Sequence, residues 1–257
     1  MVARSRSNSG GGGRRAAPDV SPLAATRGSD RPRAHGGTSE TELAVFAATE
    51  RLLSELPLHD LSVADIIGEA GISRATFYFY FSSKYAVVSG LLARVMGEIY
   101  ETVQPFVERS ADVEPQAALR NSLEAAIVLW ASHRPALRAI HENWNATDEL
   151  RTLWTSVVEQ FTIAVGAELD RERKAGLAPP GPDSEALAAA LLWGTERCLY
   201  VAGLGVDPRL PSETETLEPL MAIWTGAMYG GPGGAGAKRA PAKRRPAAAS
   251  KPKAKRS

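Results

Sequence analysis

The sequence predicts an all-α protein, and three observations carry that prediction. Serine-led capping boxes recur along the chain, apolar residues behind them return every three or four positions, and strand-type alternation is nearly absent. The first box is Ser39-Glu40-Thr41-Glu42, in which a hydroxyl accepts from an orphan amide and an acid reaches back to the cap amide. Behind it Leu43, Phe46, Ala47, Leu52 and Leu53 form a mainly apolar stripe to about Ser54, ended by the turn around Pro57. Ser62-Val63-Ala64-Asp65 opens a short helix that carries Ile66 and Ile67 inward and stops at Gly71. Ser73 caps the next, from Arg74 to about Phe79. Ser82 is placed as the cap of a longer helix, from near Ser83 to about Arg109, marked by Leu91, Leu92, Val95, Ile99, Val103 and Phe106 and irregular at Pro105. Further helices are expected over 115–131, 135–142, 147–175, 184–203 and 213–229. Asn145-Ala146-Thr147-Asp148 and Ser212-Glu213-Thr214-Glu215 serve as boxes for two of them, and Pro135 suits a first turn.

Of the 257 residues 44% are apolar, enough to bury a core once the two ends are set apart. Residues 1–38 and 231–257 are rich in Gly, Ala, Pro, Ser and cations and bury too little apolar surface to offset their ordering entropy, so both are expected to be disordered basic tails. Between them a helix-turn-helix domain is expected over 39–84 and a larger bundle over 85–230. The net charge of +1 hides a segregation of sign. Seven Arg face two Asp in 1–38, and nine Lys or Arg stand with no acid in 231–257, which leaves 14 basic and 27 acidic side chains and a net −13 for residues 39–230. Such a body repels a polyanion on average, so any nucleic-acid contact must come from a local surface helped by the tails.

A single cysteine, Cys198, excludes an intrachain disulfide and a cysteine-based metal centre. His133, His141 and Cys198 fit no metal-binding or nucleophilic spacing, so neither catalysis nor a cofactor is expected. No apolar run approaches the roughly 18 residues of a membrane span, which makes the cytosol, in contact with the nucleoid, the expected compartment.

Residues 62–84 read SVADIIGEAGISRATFYFYFSSK: two short helices about a glycine turn, the ingredients of a helix-turn-helix whose second helix enters the major groove. Taken alone, the FYFYF alternation at 77–81 has the period of a strand. The stretch resembles the signature of the TetR family of bacterial DNA-binding regulators, met here by Ser62, Val63, Ile66, Ala70, Gly71, Ile72, Ser73, Thr76, Phe77, Tyr78, Phe81, Ser83 and Lys84. Tyr85 departs from it, since the family often has Glu there, and weakens the box expected at Ser82. The resemblance runs from about residue 40 to 230 and is strongest to one mycobacterial branch of the family, through the segments ELDRERKAG, ERCLYVAG and IWTGAMYG.

That resemblance implies a repressor that binds double-stranded operator DNA as a homodimer and is released by a small apolar effector. Ser73, Arg74 and Thr76 stand at the start of the recognition helix, where side chains reach base edges or phosphates, with Arg74 the candidate for a guanine. Tyr78 and Tyr80 are candidates to donate to phosphates, and Lys84 adds charge beside the next helix. Core packing is the competing reading for the tyrosines, and a phosphate contact for Arg74. Phe79 is open between a thymine methyl and the surface of the small domain.

Trp130, Trp144, Trp154, Phe161, Trp193 and Trp224 are large rings in an alanine-rich bundle, an arrangement that frames a cavity or simply fills a core. The resemblance places Phe161, Trp224 and Trp130 along an elongated ligand pocket. Where that branch presents two asparagines to its ligand, this sequence has Leu192 and Thr195, which removes an amide and leaves Thr195 or another group to meet a ligand carbonyl. Helices 184–203 and 213–229 are implied as the dimer interface, with Leu187, Leu191, Leu217, Leu220 and Ile223 divided between interface and core. A nucleoid-type protein dominated by its basic tails, and a helical enzyme, are the alternatives.

Overall fold

The computed structural model describes residues 39–110 and 112–230, and within them every regular element is helical. The expectations for the two tails, 1–38 and 231–257, lie outside the described residues. In chain order the α-helices are α1 (Glu40–Glu55), α2 (Val63–Ala70), α3 (Arg74–Tyr80), α4 (Lys84–Val107), α5 (Pro115–Ser132), α6 (Arg134–Asn143), α7 (Asp148–Lys174), α8 (Ser184–Leu204) and α9 (Leu217–Tyr229), with a 3₁₀ turn at Thr214–Thr216.

Local chemistry sets most of the boundaries. The boxes at Ser39 and Ser62 form in full: Ser39 Oγ accepts from the Glu42 amide at 3.2 Å, while the Ser39 amide donates to the Glu42 carboxylate at 2.9 Å. Gly71 ends α2 at φ 65°, a left-handed conformation that a side chain would strain. Three of the expected caps differ. Ser83 rather than Ser82 caps α4, accepting from the Ala86 amide at 3.1 Å, so Tyr85 never occupies the box position its identity was expected to spoil. Thr147 rather than Asn145 caps α7. At Ser212 the hydroxyl donates to the Glu215 carboxylate at 2.9 Å instead of accepting from its amide. Beside it the Arg134 guanidinium holds both carboxylate oxygens of Glu213 at 2.5 Å, and a 3₁₀ turn stands where the box was expected to open the helix. α4 continues through Pro105.

The first three helices close on Ile66, Phe77 and Phe81, and Phe46 of α1 meets Phe81 edge-on at 5.6 Å. This ring lies directly over Gly90 of α4: a Cβ built at Gly90 would stand 2.9 Å from Phe46 Cζ, so the missing side chain lets α1 approach α4. Residues 77–80 of FYFYF are helical despite its period and Phe81 caps the helix in an extended conformation, with Phe77 and Phe81 inward and Tyr78 and Phe79 outward. Behind this unit α4, α5, α7, α8 and α9 pack around one continuous core, and α6 bridges to α1. No helix among the described residues is long and apolar enough to cross a membrane.

Candidate DNA interface and effector cavity

α3 presents Ser73, Arg74, Tyr78 and Phe79 to solvent, Phe79 with 65% of its surface exposed. Arg74 lies over the Tyr78 ring, 5.4 Å from its centroid, one helical turn away. Ser73 Oγ accepts from the Thr76 amide at 3.0 Å and pairs with its hydroxyl at 2.8 Å, so Thr76 is half-buried and partly engaged. Tyr80 is also half-buried, packed against the domain core. The group brought together on one exposed face is therefore Ser73, Arg74 and Tyr78.

Lys84 has a different environment from the one expected. Its ammonium donates to the carbonyls of Leu58 at 2.8 Å, His59 at 3.1 Å and Leu61 at 2.7 Å. All three of its hydrogens are thus directed at the loop between α1 and α2, and none is left for a phosphate. Lys84 ties the start of α4 to the small domain. The carbonyls it meets are brought to it by tertiary packing from more than 20 positions away, which no local motif announces.

Trp130, Phe161, Leu192, Thr195 and Trp224 face a cavity of about 860 Å³, counting the part continuous with solvent, bounded by α4, α5, α7, α8 and α9. Met96, Ile99, Val103 and Phe106 supply the α4 wall, and Trp154 and Val157 add to that of α7. Trp144 and Trp193 do not line it, and Trp193 is 38% exposed. The hydroxyl and charged groups in the wall are few: Ser122, Thr195 and Glu196. Thr195 Oγ1 accepts from Trp224 Nε1 at 2.8 Å. Glu196 is paired with buried His141, which donates from its other nitrogen, Nδ1, to the Leu137 carbonyl at 2.8 Å and stacks on Tyr200 with ring centroids 5.1 Å apart. Ser122 was missed, since a serine among the alanines of a helix breaks no pattern. Its Oγ is buried and unpartnered.

Two links join the cavity walls to the α1–α3 unit. α4 is one, since its first residue is Lys84 and its later turns line the cavity. The other is His133, one turn beyond Trp130: its Nδ1 lies 2.8 Å from Glu50 of α1, and its Nε2 3.6 Å from Glu98 of α4. Among the described residues no cluster of His, Cys, Asp and Glu side chains is placed to hold a metal ion.

Comparison with known proteins agrees on both halves. Residues 45–91 match the family model for bacterial regulatory proteins of the tetR family, and residues 119–230 match that for the C-terminal domain of the transcriptional regulator EthR. The chain is 35% identical to the HTH-type transcriptional regulator EthR of Mycobacterium tuberculosis over 200 residues, 78% of this chain and 92% of that protein. EthR of Mycolicibacterium smegmatis is 31% identical over 200 residues, 78% of this chain and 91% of its own. Among solved structures, the fatty acid degradation regulator FadR of Bacillus halodurans shares the fold with a TM-score of 0.63 at 16% identity, covering 74% of this chain and 97% of its own. With the tetR family model matched at one end, the EthR C-terminal domain model matched at the other and 35% identity to EthR over most of both chains, this chain belongs to the TetR family of transcriptional regulators.

Proposed function

We propose that the chain is a repressor that binds operator DNA as a homodimer and leaves it when a small apolar molecule occupies the cavity. The observation that carries this is the double use of α4. The helix that Lys84 fastens to the DNA-facing unit also supplies Met96, Ile99, Val103 and Phe106 to the cavity wall. A ligand that prefers a displaced α4 therefore changes the separation of two recognition helices in a dimer, and its differential affinity for the two dimer forms sets how far DNA binding weakens. Arg74 and Tyr78 are read as the operator contacts with Ser73 at their side, Thr76 and Tyr80 as supports with part of their surface free, and Lys84 as a positioning residue.

A dimer through α8 and α9 is supported by their outer faces. α9 turns Pro219, Ala222, Ile223, Gly226 and Ala227 outward, an uncharged stripe, and α8 adds Ala186, Ala190, Trp193 and Gly194. Leu191 and Leu220 are instead buried within the subunit, Leu187 and Leu217 are half-buried, and Ile223 is the branched residue left free.

The test is release of the full-length protein from DNA of its own promoter by a panel of apolar esters, ketones and acyl compounds. A member of the panel is expected to release it, and Trp224→Ala is expected to raise the concentration for half-release by about tenfold or more, the effect of losing roughly 1.5–3 kcal/mol of aromatic burial. A compound that binds tightly without changing operator affinity, or that acts equally on wild type and variant, overturns the reading.

A further inference from the structure

We propose that Ser122 is the polar anchor of the cavity, and that the ligand it selects is an uncharged apolar molecule carrying a hydrogen-bond acceptor such as a ketone or ester carbonyl. This rests on the cavity being the effector site. Ser122 is 4% exposed, lines the cavity, and has no partner for its hydroxyl. A helical hydroxyl ordinarily relieves its burial by donating to a carbonyl one turn back. Four others here donate four positions back: Thr49 to Val45 at 2.8 Å, Ser132 to Val128 at 2.9 Å, Thr155 to Arg151 at 2.9 Å and Thr225 to Met221 at 2.6 Å. Ser122 is left out of that pattern, and an unpaired buried donor is a standing penalty that a ligand acceptor removes.

The rest of the wall narrows the chemistry. Thr195 is half-buried and its oxygen already accepts from Trp224 Nε1, whereas Ser122 is buried with no partner at all, so Ser122 is the hydroxyl whose burial a ligand acceptor relieves. Glu196 is taken up by His141. Among the described residues no Lys or Arg lines the cavity, so a carboxylate placed there would be an unpaired charge in an apolar enclosure that already holds Glu196. A neutral carbonyl meets the free Ser122 donor without that cost.

The test uses three probes of matched size on the full-length protein: hexanophenone, hexylbenzene, in which a methylene replaces the carbonyl, and phenylhexanoate, which is charged. Binding is read by quenching of tryptophan fluorescence, since Trp130, Trp154 and Trp224 line the cavity. Hexanophenone is expected to bind about tenfold more tightly than hexylbenzene, the effect of one satisfied hydrogen bond, and phenylhexanoate least. Ser122→Ala is expected to bring the ketone-to-hydrocarbon ratio close to one while leaving hexylbenzene as tight as before. Ser122→Thr, which keeps the hydroxyl, is expected to keep the ratio. An unchanged ratio in Ser122→Ala, or phenylhexanoate binding as well as the ketone, overturns the proposal. If none of the three binds, the cavity reading falls and the anchor with it. If hexanophenone binds through Ser122 yet leaves operator affinity unchanged, the anchor stands and the effector reading falls.

Discussion

Arg74 and Lys84 are two of the three Lys or Arg residues between 39 and 84, and their surroundings divide their work. Arg74 is exposed and braced by the Tyr78 ring, a side chain held in reach of DNA at little cost to the fold. Lys84 holds three carbonyls of the α1–α2 loop, and removing it leaves those acceptors without their cation. Arg74→Ala is therefore expected to weaken binding to the cognate palindrome by about 1–3 kcal/mol per half-site, to change binding to random duplex little, and to leave thermal stability unaltered. Lys84→Met is expected to do the reverse at first order: about 1.5–3 kcal/mol of stability disappears with the charge-assisted hydrogen bonds, and affinity for all DNAs falls together. Gel-shift titrations on both duplexes beside melting curves separate the two. Equal losses on cognate and random DNA for Arg74→Ala would reassign it to a phosphate. In the sequence Lys84 matches the family signature and Arg74 stands at a position that signature leaves open, and only the tertiary surroundings show what each side chain meets.

At the level of elements, the lower end of the bundle is closed by an ionic cluster. Arg109, just past α4, reaches Glu172 at 3.1 Å and Glu168 at 3.5 Å on α7, and the Tyr229 hydroxyl at the end of α9 faces Glu172. Burial raises the Glu172 carboxyl above its ordinary 4.5, opposed by the Tyr229 hydroxyl and the Arg109 guanidinium beside it and reinforced by neighbouring Glu168. Burial, with Glu172 beside it, likewise raises the Tyr229 hydroxyl. From pH 4.5 upward to the raised value, the folded state holds a proton at Glu172 that the unfolded chain has released, so stability falls as pH rises through that window. Below it the contribution is fully present. Melting curves of wild type and Glu172→Gln from acid to neutral pH are expected to diverge in favour of the variant as pH rises, because Gln keeps a polar partner for Tyr229 without the buried charge. A wild type that gains on the variant with rising pH would mean that pairing with Arg109 outweighs desolvation. Helix ends here were legible where a full box forms, as at Ser39 and Ser62, and at the Gly71 stop, while two local caps shifted by one or two residues, to Ser83 and Thr147. Where a distant partner competes, they were not, as at Ser212, beside which Arg134 holds Glu213 and a 3₁₀ turn replaces the box. The same holds for Leu191 and Leu220, whose helical period shows that one face is apolar but not whether that face meets its own subunit or another.

For the whole molecule, the distribution of charge poses the question of how an acidic protein approaches DNA. Residues 39–84 contain seven acids against three Lys or Arg, and Arg51 is occupied by Glu69 and Lys84 by carbonyls, so Arg74 alone among those cations is without an acid or carbonyl partner. A domain of that sign reads bases at close range but does not attract a duplex from a distance, where the field of the net −13 over residues 39–230 dominates. The attraction is then expected from the ends, where the nine cations after Gly234, with no acid among them, are the largest concentration of positive charge. They stand among Ala, Pro, Gly and Ser with no base-reading motif in the sequence, so they are expected to supply affinity without discrimination. Truncation after Gly234 is expected to flatten the dependence of log K on log salt, by about 0.9 for each phosphate no longer neutralised, and to lower affinity at low salt for every duplex. The ranking of operator variants should survive, because Arg74 and Tyr78 remain in place to set it. Fluorescence anisotropy over a salt series, on the cognate palindrome and two single-base variants, measures both quantities in one experiment. An unchanged slope would mean that the tail does not touch DNA in the complex, leaving the seven arginines before Ser39 as the source of attraction. A changed ranking would mean that the tail reads sequence, which a nucleoid-type binder governed by its tails would not do and a helix-turn-helix acting alone would not need.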